Sequence, residues 1–229
     1  MVDIEKPYVI VYSTMTVDGK IASKTRFSQL SCPHDLKRLH ELRAQCDGVM
    51  VGANTVIIDD PSLRVKYVEG RNPVRIVVDG ALRTPLTARV YTLKSAKTIV
   101  LTSRIAPKNK VEALRDMGVE VIVFPHDPPI DMGEALKELY KRGLKKILVE
   151  GGGELLWHLF VARIVDEVRV TIAPYIFGGR DAISLVMGEG FQSTSDAVKL
   201  RPIDVKICEC GYEVHVVYHV ENNKQVSGD

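Results

Sequence analysis

The stretch KILVEGGGE, residues 146–154, decides the fold. Its apolar half has the composition of a buried strand, and its three glycines lead into a predicted helix from Glu154 to Arg163. Such a turn lets backbone N–H groups approach an anion, such as a pyrophosphate, at the positive end of a helix. Glycines here equally permit tight packing of strand against helix, so both interpretations stay open. The spacing is not that of the GxGxxG dinucleotide fingerprint.

On both sides of this stretch the chain alternates strands and helices. Short apolar and β-branched runs predict strands at residues 8–12, 48–52, 74–79, 98–102, 119–124, 146–149 and 167–173. Helical spacing and helix-end signals predict helices from Pro33 onward and at residues 54–58, 108–117, 131–142 and 154–163. This order predicts an α/β fold with a mostly parallel sheet flanked by helices.

The last part of the chain changes character. Residues 199–208 and 212–220 are predicted strands joined at Gly211, which indicates an antiparallel C-terminal hairpin at one edge of the sheet. Residues 175–192 are rich in glycine and have no clear period, so we predict mainly loop. We favour a wall over a pocket around Gly178–Asp181 rather than a plain connection, because long glycine-rich loops in compact domains are often functional.

Length and charge limit the function classes. We expect a single domain over residues 1–229, with a frayed polar tail from about 221 to 229. The net charge of +2 does not indicate the basic stripe of a nucleic-acid-binding protein. No apolar run approaches the roughly 18 residues of a membrane span, and the charged N-terminus lacks a signal-peptide pattern. We therefore expect a cytoplasmic protein with a small-molecule partner, no nucleic acid and no membrane.

The cysteine pattern favours structural thiols. The four cysteines, none of which belongs to a CxxC pair, are Cys32, Cys46, Cys208 and Cys210. On a strand, Cys208 and Cys210 would point the same way, and His215 and His219 are the only further ligand candidates near them. We expect reduced thiols and no metal site.

Two charged residues near strand ends are candidates for catalysis. Glu150 stands at the carboxyl end of a buried strand, the edge where ligands bind in open α/β sheets; the alternative is a solvent-facing strand end. Lys20, in the turn Asp18-Gly19-Lys20 after the first strand, suits a phosphate contact or proton donation. The same tripeptide also occurs in ordinary surface turns.

Polar groups after other strands suit nucleotide binding. The two hydroxyl groups and the guanidinium of Thr102-Ser103-Arg104 are suited to bind the 2′-phosphate of NADPH. In the alternative interpretation, Arg104 is simply an exposed residue at the start of a loop. Thr55 lies near a predicted helix start, where it either binds a phosphate or ribose or caps the helix. Asp59 follows in the same segment, and its alternative role is only to end that helix. Arg43 either faces a ligand or extends to solvent.

Several other enzyme classes lack their motifs here. The chain contains no GxSxG, no HExxH, no GxxxxGK[ST] and no HxE followed by PCxxC. These gaps argue against serine hydrolases, zinc proteases, P-loop enzymes and zinc deaminases.

Taken together, five landmarks resemble the reductase family of riboflavin biosynthesis. They are SxxxxDGKIA (13–22), LRxxxDGVMVG (42–52), TxxxDDPxL (55–63), VEGG (149–152), and Pro174 with Gly178-Gly179. Each is weak alone, but the ordered set is specific and spans residues 7–220. The family includes stand-alone archaeal and fungal enzymes and the C-terminal domain of the bifunctional bacterial deaminase-reductase, and its fold is similar to that of dihydrofolate reductase.

The resemblance implies site roles at matching positions. NADPH would be bound by Thr55, Asp59, Asp79, Ser103, Arg104, Gly151, Gly152, Gly153 and Glu154. Substrate would be bound by Ser28, Arg43, Leu63, Arg64 and Lys66. Lys20 and Glu150 would be catalytic. Where many relatives have Leu-Thr-x-Arg, this chain has Leu63-Arg64-Val65-Lys66, which leaves open whether Arg64 or Lys66 takes the substrate phosphate.

The resemblance also implies a reaction. Without a deaminase domain, the expected substrate is 2,5-diamino-6-(ribosylamino)-4(3H)-pyrimidinone 5′-phosphate, whose ribosyl group NADPH would reduce to ribityl. The alternatives are the deaminated substrate 5-amino-6-(5-phosphoribosylamino)uracil, or a dihydrofolate or pteridine reductase. A homodimer is expected, with the apolar segment Val214–Val220 as the contact because an unpaired hydrophobic edge is otherwise an aggregation hazard.

Overall fold

A nine-stranded sheet lies at the centre of the fold in the computed structural model, which describes residues 6–221. Within that range the chain forms eleven strands and six helices. The strands are β1 (Tyr8–Thr16), β2 (Lys20–Ala22), β3 (Gly48–Gly52), β4 (Val74–Val78), β5 (Thr98–Ser103), β6 (Glu120–Phe124), β7 (Lys146–Val149), β8 (Glu167–Ala173), β9 (Ile183–Ser184), β10 (Lys199–Ile207) and β11 (Val214–Glu221). The helices are α1 (Pro33–Gln45), α2 (Ala53–Asp59), α3 (Arg89–Thr92), α4 (Lys108–Asp116), α5 (Met132–Lys141) and α6 (Gly153–Val161).

The strand order of the large sheet is β10-β11-β8-β1-β7-β3-β4-β5-β6. Every pairing from β8 across to β6 is parallel, whereas β11 pairs antiparallel with both β8 and β10. The predicted mostly parallel sheet with an antiparallel C-terminal hairpin is therefore confirmed. All parallel strands end at the same edge of the sheet, which is where the site described below lies.

Helices cover both faces of the sheet, so its central strands are apolar on both sides. In β1, Val9 and Val11 pack with residues of α5 and α6, while Ile10 and Tyr12 pack with residues of α1, α2 and α4. Successive side chains of a strand point to opposite faces, which explains why this run is continuously apolar rather than alternating. Full burial of one such aliphatic side chain stabilises the fold by about 1.5–3 kcal/mol.

Several details differ from the sequence expectations. Strand β1 continues to Thr16 because its second half pairs with β8. The segment predicted as mainly loop includes β9, which pairs with β2 in a separate two-stranded sheet. Cys208 and Cys210 lie in the turn between β10 and β11, so the strand geometry considered for them does not apply. Glu221 pairs with Lys199 in the hairpin, and the rest of the predicted frayed tail lies outside the described residues.

Among the described residues, the unpaired edges of the sheet are β10 and β6, so β11 is not an edge strand. The apolar segment Val214–Val220 is paired on both sides, so the argument that it presents an unpaired hydrophobic edge was wrong. Strand β10 is exposed along its whole length and presents Ile203, Val205 and Ile207 to solvent. Its register shifts between Pro202 and Asp204, a common position for proline in an edge strand.

A helix that crosses a membrane needs about 20 consecutive, mostly apolar residues. Within residues 6–221, no helix combines the length and the apolar character that crossing a bilayer requires.

Candidate active site

A cavity of about 850 Å³ lies at the carboxyl edge of the parallel strands. The ends of β1, β3, β4 and β7 contribute to its walls, together with the first turns of α2 and α6. Of the predicted site residues, those that line it are Ser28, Thr55, Asp59, Asp79, Glu150, Gly152, Gly153 and Glu154. The sheet thus brings together side chains that are more than 120 residues apart in sequence.

The triglycine turn joins β7 to α6 at one wall of this cavity. Gly151 has a φ of 100°, a backbone conformation that favours glycine, and its carbonyl accepts the N–H of Gly52 at 2.9 Å. A Cβ added at Gly153 would lie 2.5 Å from Cγ of Met187 and 2.8 Å from the carbonyl oxygen of Ser184. The packing interpretation is therefore confirmed at Gly153. The turn also places the α6 N-terminus at the cavity, where anion binding remains a prediction.

Glu150 is held by Arg43 in a two-pronged ion pair. Arg43 Nε and Nη2 donate to the two carboxylate oxygens of Glu150, each at 2.6 Å, and both side chains are nearly buried. Burial is the largest single effect and lowers the pKa of Arg43, but the charge and the hydrogen bonds of Glu150 together outweigh it, so the Arg43 pKa is raised. The guanidinium also donates to the Arg64 carbonyl at 3.0 Å. This leaves Arg43 occupied by protein groups.

His40 extends this network behind Arg43. Its Nδ1 accepts the backbone N–H of Lys66 at 2.9 Å, and its Nε2 lies 3.4 Å from Nη1 of Arg43. Burial, and then the positive charge of Arg43, lower the His40 pKa to about 4. The imidazole is therefore neutral at pH 7, and it fixes the segment that contains Arg64 and Lys66.

Lys20 lies at the side of the cavity next to the late glycine-rich segment. Its Nζ donates to Ser184 Oγ at 2.9 Å, and its neighbours Ile21 and Ala22 line the cavity. Asp18, two residues earlier, accepts the backbone N–H groups of Phe177 and Gly178 at 3.1 and 2.7 Å. The predicted Asp-Gly-Lys turn thus anchors the late segment to the end of β1.

Part of the late segment forms a wall of the cavity, but not Gly178–Asp181, for which the wall was predicted. Ile183 and Met187 line the cavity. Backbone bonds that hold the segment include those from Leu185 N to the Gly19 carbonyl at 3.0 Å and from Met187 N to the Gly153 carbonyl at 3.2 Å. The glycines at 178 and 179 stand at the start of this wall rather than in it.

Two carboxylates face the cavity from the α2 and β4 side. Asp59 accepts from Ser28 Oγ at 3.2 Å, and burial raises its pKa. Asp79 is buried, and its Oδ2 accepts the Thr84 N–H at 2.7 Å. Its Oδ1 has no hydrogen-bond partner among the described residues. A buried acceptor without a partner is uncommon, so Asp79 has one oxygen available to a ligand.

Other predicted site residues lie outside the cavity wall. Ser103 Oγ donates to the Gly80 carbonyl at 2.7 Å, which supports the turn after β4. Arg104 forms an exposed two-pronged pair with Asp127, with both N···O distances at 2.9 Å. Predicted residues that do not line the cavity are Lys20, Arg43, Leu63, Arg64, Lys66, Ser103, Arg104 and Gly151. Their assigned roles remain predictions.

A sequence model of a protein family, described as the RibD C-terminal domain, matches residues 7–216. The chain belongs to this family. Its similarity to family members covers most of each chain. A 2,5-diamino-6-ribosylamino-4(3H)-pyrimidinone 5′-phosphate reductase of Aquifex aeolicus is 43% identical over 203 residues, which cover 86% of this chain and 90% of the relative. The enzyme of the same name from Methanothermobacter thermautotrophicus is 44% identical over 199 residues, covering 86% and 91%.

Among solved structures, the chain is similar to a diaminohydroxyphosphoribosylaminopyrimidine deaminase/5-amino-6-(5-phosphoribosylamino)uracil reductase of Thermotoga maritima. The TM-score is 0.75 at 26% identity, and the match covers 94% of this chain. It covers 57% of the Thermotoga chain, so this RibD C-terminal domain corresponds to part of that larger protein. The resemblance inferred from the five sequence landmarks is confirmed.

The structure adds cavity residues that sequence reasoning missed. Arg26 and Arg83 are cations in the wall, and Arg83 Nη2 donates to Asn54 Oδ1 at 2.9 Å. His158 also lines the cavity, one helical turn after Glu154. Helical spacing was a signal for His158, because side chains four residues apart share a helix face. Arg83 closely follows the predicted strand end at Asp79, which was a usable signal as well.

Proposed function

We propose that this protein reduces the ribosyl group of 2,5-diamino-6-(ribosylamino)-4(3H)-pyrimidinone 5′-phosphate to ribityl, in riboflavin biosynthesis. The observation that carries the proposal is the match to two enzymes of that name over nine tenths of their length. The cavity supports it, because a single concave site at the carboxyl edge combines a helix N-terminus with acidic and basic groups.

The residues around the cavity fit a dinucleotide such as NADPH. The unpartnered Oδ1 of Asp79 suits a ribose hydroxyl, and the N–H groups of the turn at Gly152–Glu154 suit a pyrophosphate. Thr55 and Asp59 line the same wall and complete the proposed cofactor side. When bound, NADPH would supply the hydride.

Reduction of the open-chain imine places a hydride on C1′ and a proton on the adjacent nitrogen. We assign the proton to Lys20, because an ammonium carries protons and its position is fixed by Ser184. Both carboxylate oxygens of Glu150 accept hydrogen bonds from Arg43, so Glu150 is suited to orient the substrate rather than to donate the proton. Positioned proton transfer typically contributes about 10²–10⁴-fold to a rate.

Substrate binding is assigned to the wall next to the proposed cofactor side, where Ser28 donates to Asp59. Ser28 lines that wall, and the resemblance assigns Leu63 to the same side. Since Arg43 is occupied by Glu150, we propose that it positions this carboxylate and that another cation takes the substrate phosphate. Arg26 lines the cavity, and Arg64 and Lys66 remain the family-based candidates.

We further propose a cytoplasmic homodimer. All four cysteines are free, which fits a reducing compartment. Strand β10 offers the contact, because an exposed edge strand with Ile203, Val205 and Ile207 is a surface that pairing would cover. Size-exclusion chromatography with light scattering tests this: Val205→Lys should yield a monomer, and an unchanged mass would exclude β10 as the contact.

The function is tested by following NADPH oxidation with three compounds side by side. These are the diamino substrate, its deaminated uracil analogue and dihydrofolate. We expect the highest kcat/KM with the diamino compound. A higher kcat/KM with the uracil analogue would mean that this enzyme acts on the deaminated compound, as the name of the Thermotoga relative indicates for that protein. Turnover of dihydrofolate alone would overturn the proposal.

A further inference from the structure

A cluster of three thiols and one carboxylate lies outside the cavity, where the start of α1 meets the turn between β10 and β11. Its members are Cys32, Cys208, Cys210 and Glu213, and their ligand atoms all lie within 4.8 Å of one another. The sulfurs of Cys32 and Cys208 are 3.5 Å apart. In a tetrahedral zinc site, with Zn–S bonds of about 2.3 Å, two sulfurs lie about 3.8 Å apart.

Glu213 provides an independent indication that a cation belongs here. The side chain is buried at 2% exposure, and its Oε1 accepts the backbone N–H of Cys32 at 2.7 Å. Its Oε2 is buried and has no hydrogen-bond partner among the described residues. A buried carboxylate oxygen without a partner is costly, and a metal ion bound between this oxygen and the three sulfurs would satisfy it.

One backbone N–H group points at a sulfur of the cluster: Asp35 N donates to Cys32 Sγ at 3.4 Å. Such a donor stabilises a thiolate and offsets part of the net negative charge of three thiolates and a carboxylate around a divalent cation. Arg38 adds a positive charge, with Nη2 3.7 Å from Cys208 Sγ.

We propose that Cys32, Cys208, Cys210 and Glu213 bind a structural zinc ion. Three soft sulfur ligands with one oxygen favour zinc over magnesium, calcium or manganese, which prefer oxygen ligands. Four protein ligands complete a tetrahedral shell, so the site is structural rather than catalytic. The sequence expectation of no metal site had considered His215 and His219 instead of Cys32 and Glu213.

The two histidines belong elsewhere. His215 Nδ1 lies 2.8 Å from Thr171 Oγ1, its Nε2 contacts Arg38, and the side chain of His219 is exposed on β11. A zinc ion would instead link the hairpin turn to the N-terminus of α1. Ser31 directly precedes Cys32 and lines the cavity. The ion would therefore stabilise this wall of the cavity from its outer side.

Metal content is the first test. The untagged full-length chain, expressed with added zinc and purified under reducing conditions without chelators, should contain one zinc per chain by inductively coupled plasma mass spectrometry. Cys210→Ser, at a partly exposed position, should bind zinc at least about 100-fold more weakly in a chelator competition. Cys46→Ala is the matched control, because Cys46 is the remaining cysteine and lies in the core; it should retain the metal.

Cobalt substitution is the second test and does not depend on activity. The zinc-depleted chain, titrated with Co²⁺, should gain thiolate-to-cobalt charge-transfer absorption in the near ultraviolet and the d–d bands of a tetrahedral site. Glu213→Gln keeps the three thiols and side-chain size, so it should shift the d–d bands and retain the charge transfer. Three outcomes would overturn the proposal: wild-type protein without zinc or cobalt bands, Cys210→Ser with unchanged metal affinity, or a Cys32–Cys208 disulfide in the reduced preparation.

Discussion

Two arginine–carboxylate pairs in this protein have the same two-pronged geometry and opposite surroundings. In the pair between Arg43 and Glu150, the side chains are 10% and 12% exposed. In the pair between Arg104 and Asp127, they are 63% and 56% exposed. Both arginines are candidates for phosphate binding from sequence, yet each one contacts a carboxylate of the protein.

The difference shows that burial, rather than geometry, decides what each pair does. Solvent screens the exposed pair, so it is expected to contribute little to stability. Removing one partner of a buried pair leaves an unpaired charge and costs about 3–5 kcal/mol. The buried pair therefore fixes Glu150 at the cavity, whereas the exposed pair leaves Arg104 able to exchange its partner for a ligand.

The largest effect is expected when Lys20 is replaced. This variant tests whether Lys20 donates the proton, so that the buried pair of Arg43 and Glu150 only positions the substrate. Lys20→Gln should lower single-turnover hydride transfer by about 10²–10⁴-fold, because the proposed proton donor is lost. Stopped-flow loss of NADPH absorbance measures this, and Lys141→Gln, at an exposed position on α5, is the control outside the cavity. If Lys20→Gln and Glu150→Gln both kept the wild-type rate, the catalytic assignment would be wrong.

The next largest effect contrasts the two pairs directly in stability. Arg43→Ala should lower the free energy of unfolding by about 3 kcal/mol or more, because Glu150 is left nearly buried without its partner. Arg104→Ala should leave it nearly unchanged, because solvent screens the exposed pair with Asp127. Urea unfolding at pH 7 measures both variants. Equal losses in the two would show that burial does not separate the pairs.

A smaller effect concerns pH dependence beside the buried pair. The folded-state pKa of His40, about 4, lies below its ordinary value of 6.5, so the unfolded chain binds more protons between these values. The contribution of neutral His40 is fully present above pH 6.5 and is lost as the pH falls towards 4. At about 1.36 kcal/mol per pKa unit, the difference between 6.5 and 4 sets an upper limit of roughly 3.4 kcal/mol on this loss, and solvent screening makes the loss smaller.

His40→Gln is the matched variant for that experiment, because an amide can still accept the Lys66 N–H and does not titrate. The free energy of unfolding, measured from pH 7.5 to 4, should decline less steeply in the variant than in the wild type. Parallel curves for the two proteins would contradict the lowered pKa of His40, because the carboxyl groups titrate in both proteins.

The smallest effect tests the exposed pair as a cofactor contact. If Arg104 exchanges Asp127 for the 2′-phosphate of NADPH, Arg104→Ala should raise the KM for NADPH about tenfold, equivalent to about 1.4 kcal/mol. The KM for NADH, which lacks this phosphate, should stay the same. Steady-state kinetics with both cofactors measure the contrast, and equal changes would remove Arg104 from the cofactor site.

Local sequence signals predicted the order of strands and helices, because apolar periodicity and glycine or proline punctuation are local properties. They also placed Glu150 and the triglycine turn at the carboxyl edge of the sheet. The same reasoning did not predict the partner of Arg43, which is 107 residues away in sequence. Pairings of that kind depend on strand order, and the insertion of β7 between β1 and β3 has no local signal.

The cysteine cluster shows the same limit more sharply. Cys208 and Cys210 are neighbours in sequence, so their proximity was evident. Cys32 is 176 residues from Cys208, and it reaches the cluster only because β11 packs beside β8 and the start of α1 lies near that hairpin. Counting ligands along the chain therefore selected the histidines and missed the third thiol.

The central position of β1 has a consequence for synthesis on the ribosome. Strand β1 is made first, yet its two neighbours in the sheet, β7 and β8, begin at residues 146 and 167. At a translation rate of about 5–20 residues per second, the apolar run from Val9 to Tyr12 waits roughly 7 to 27 seconds before β7 exists. During that interval the nascent chain carries a strand that needs shielding by a chaperone or by early helices.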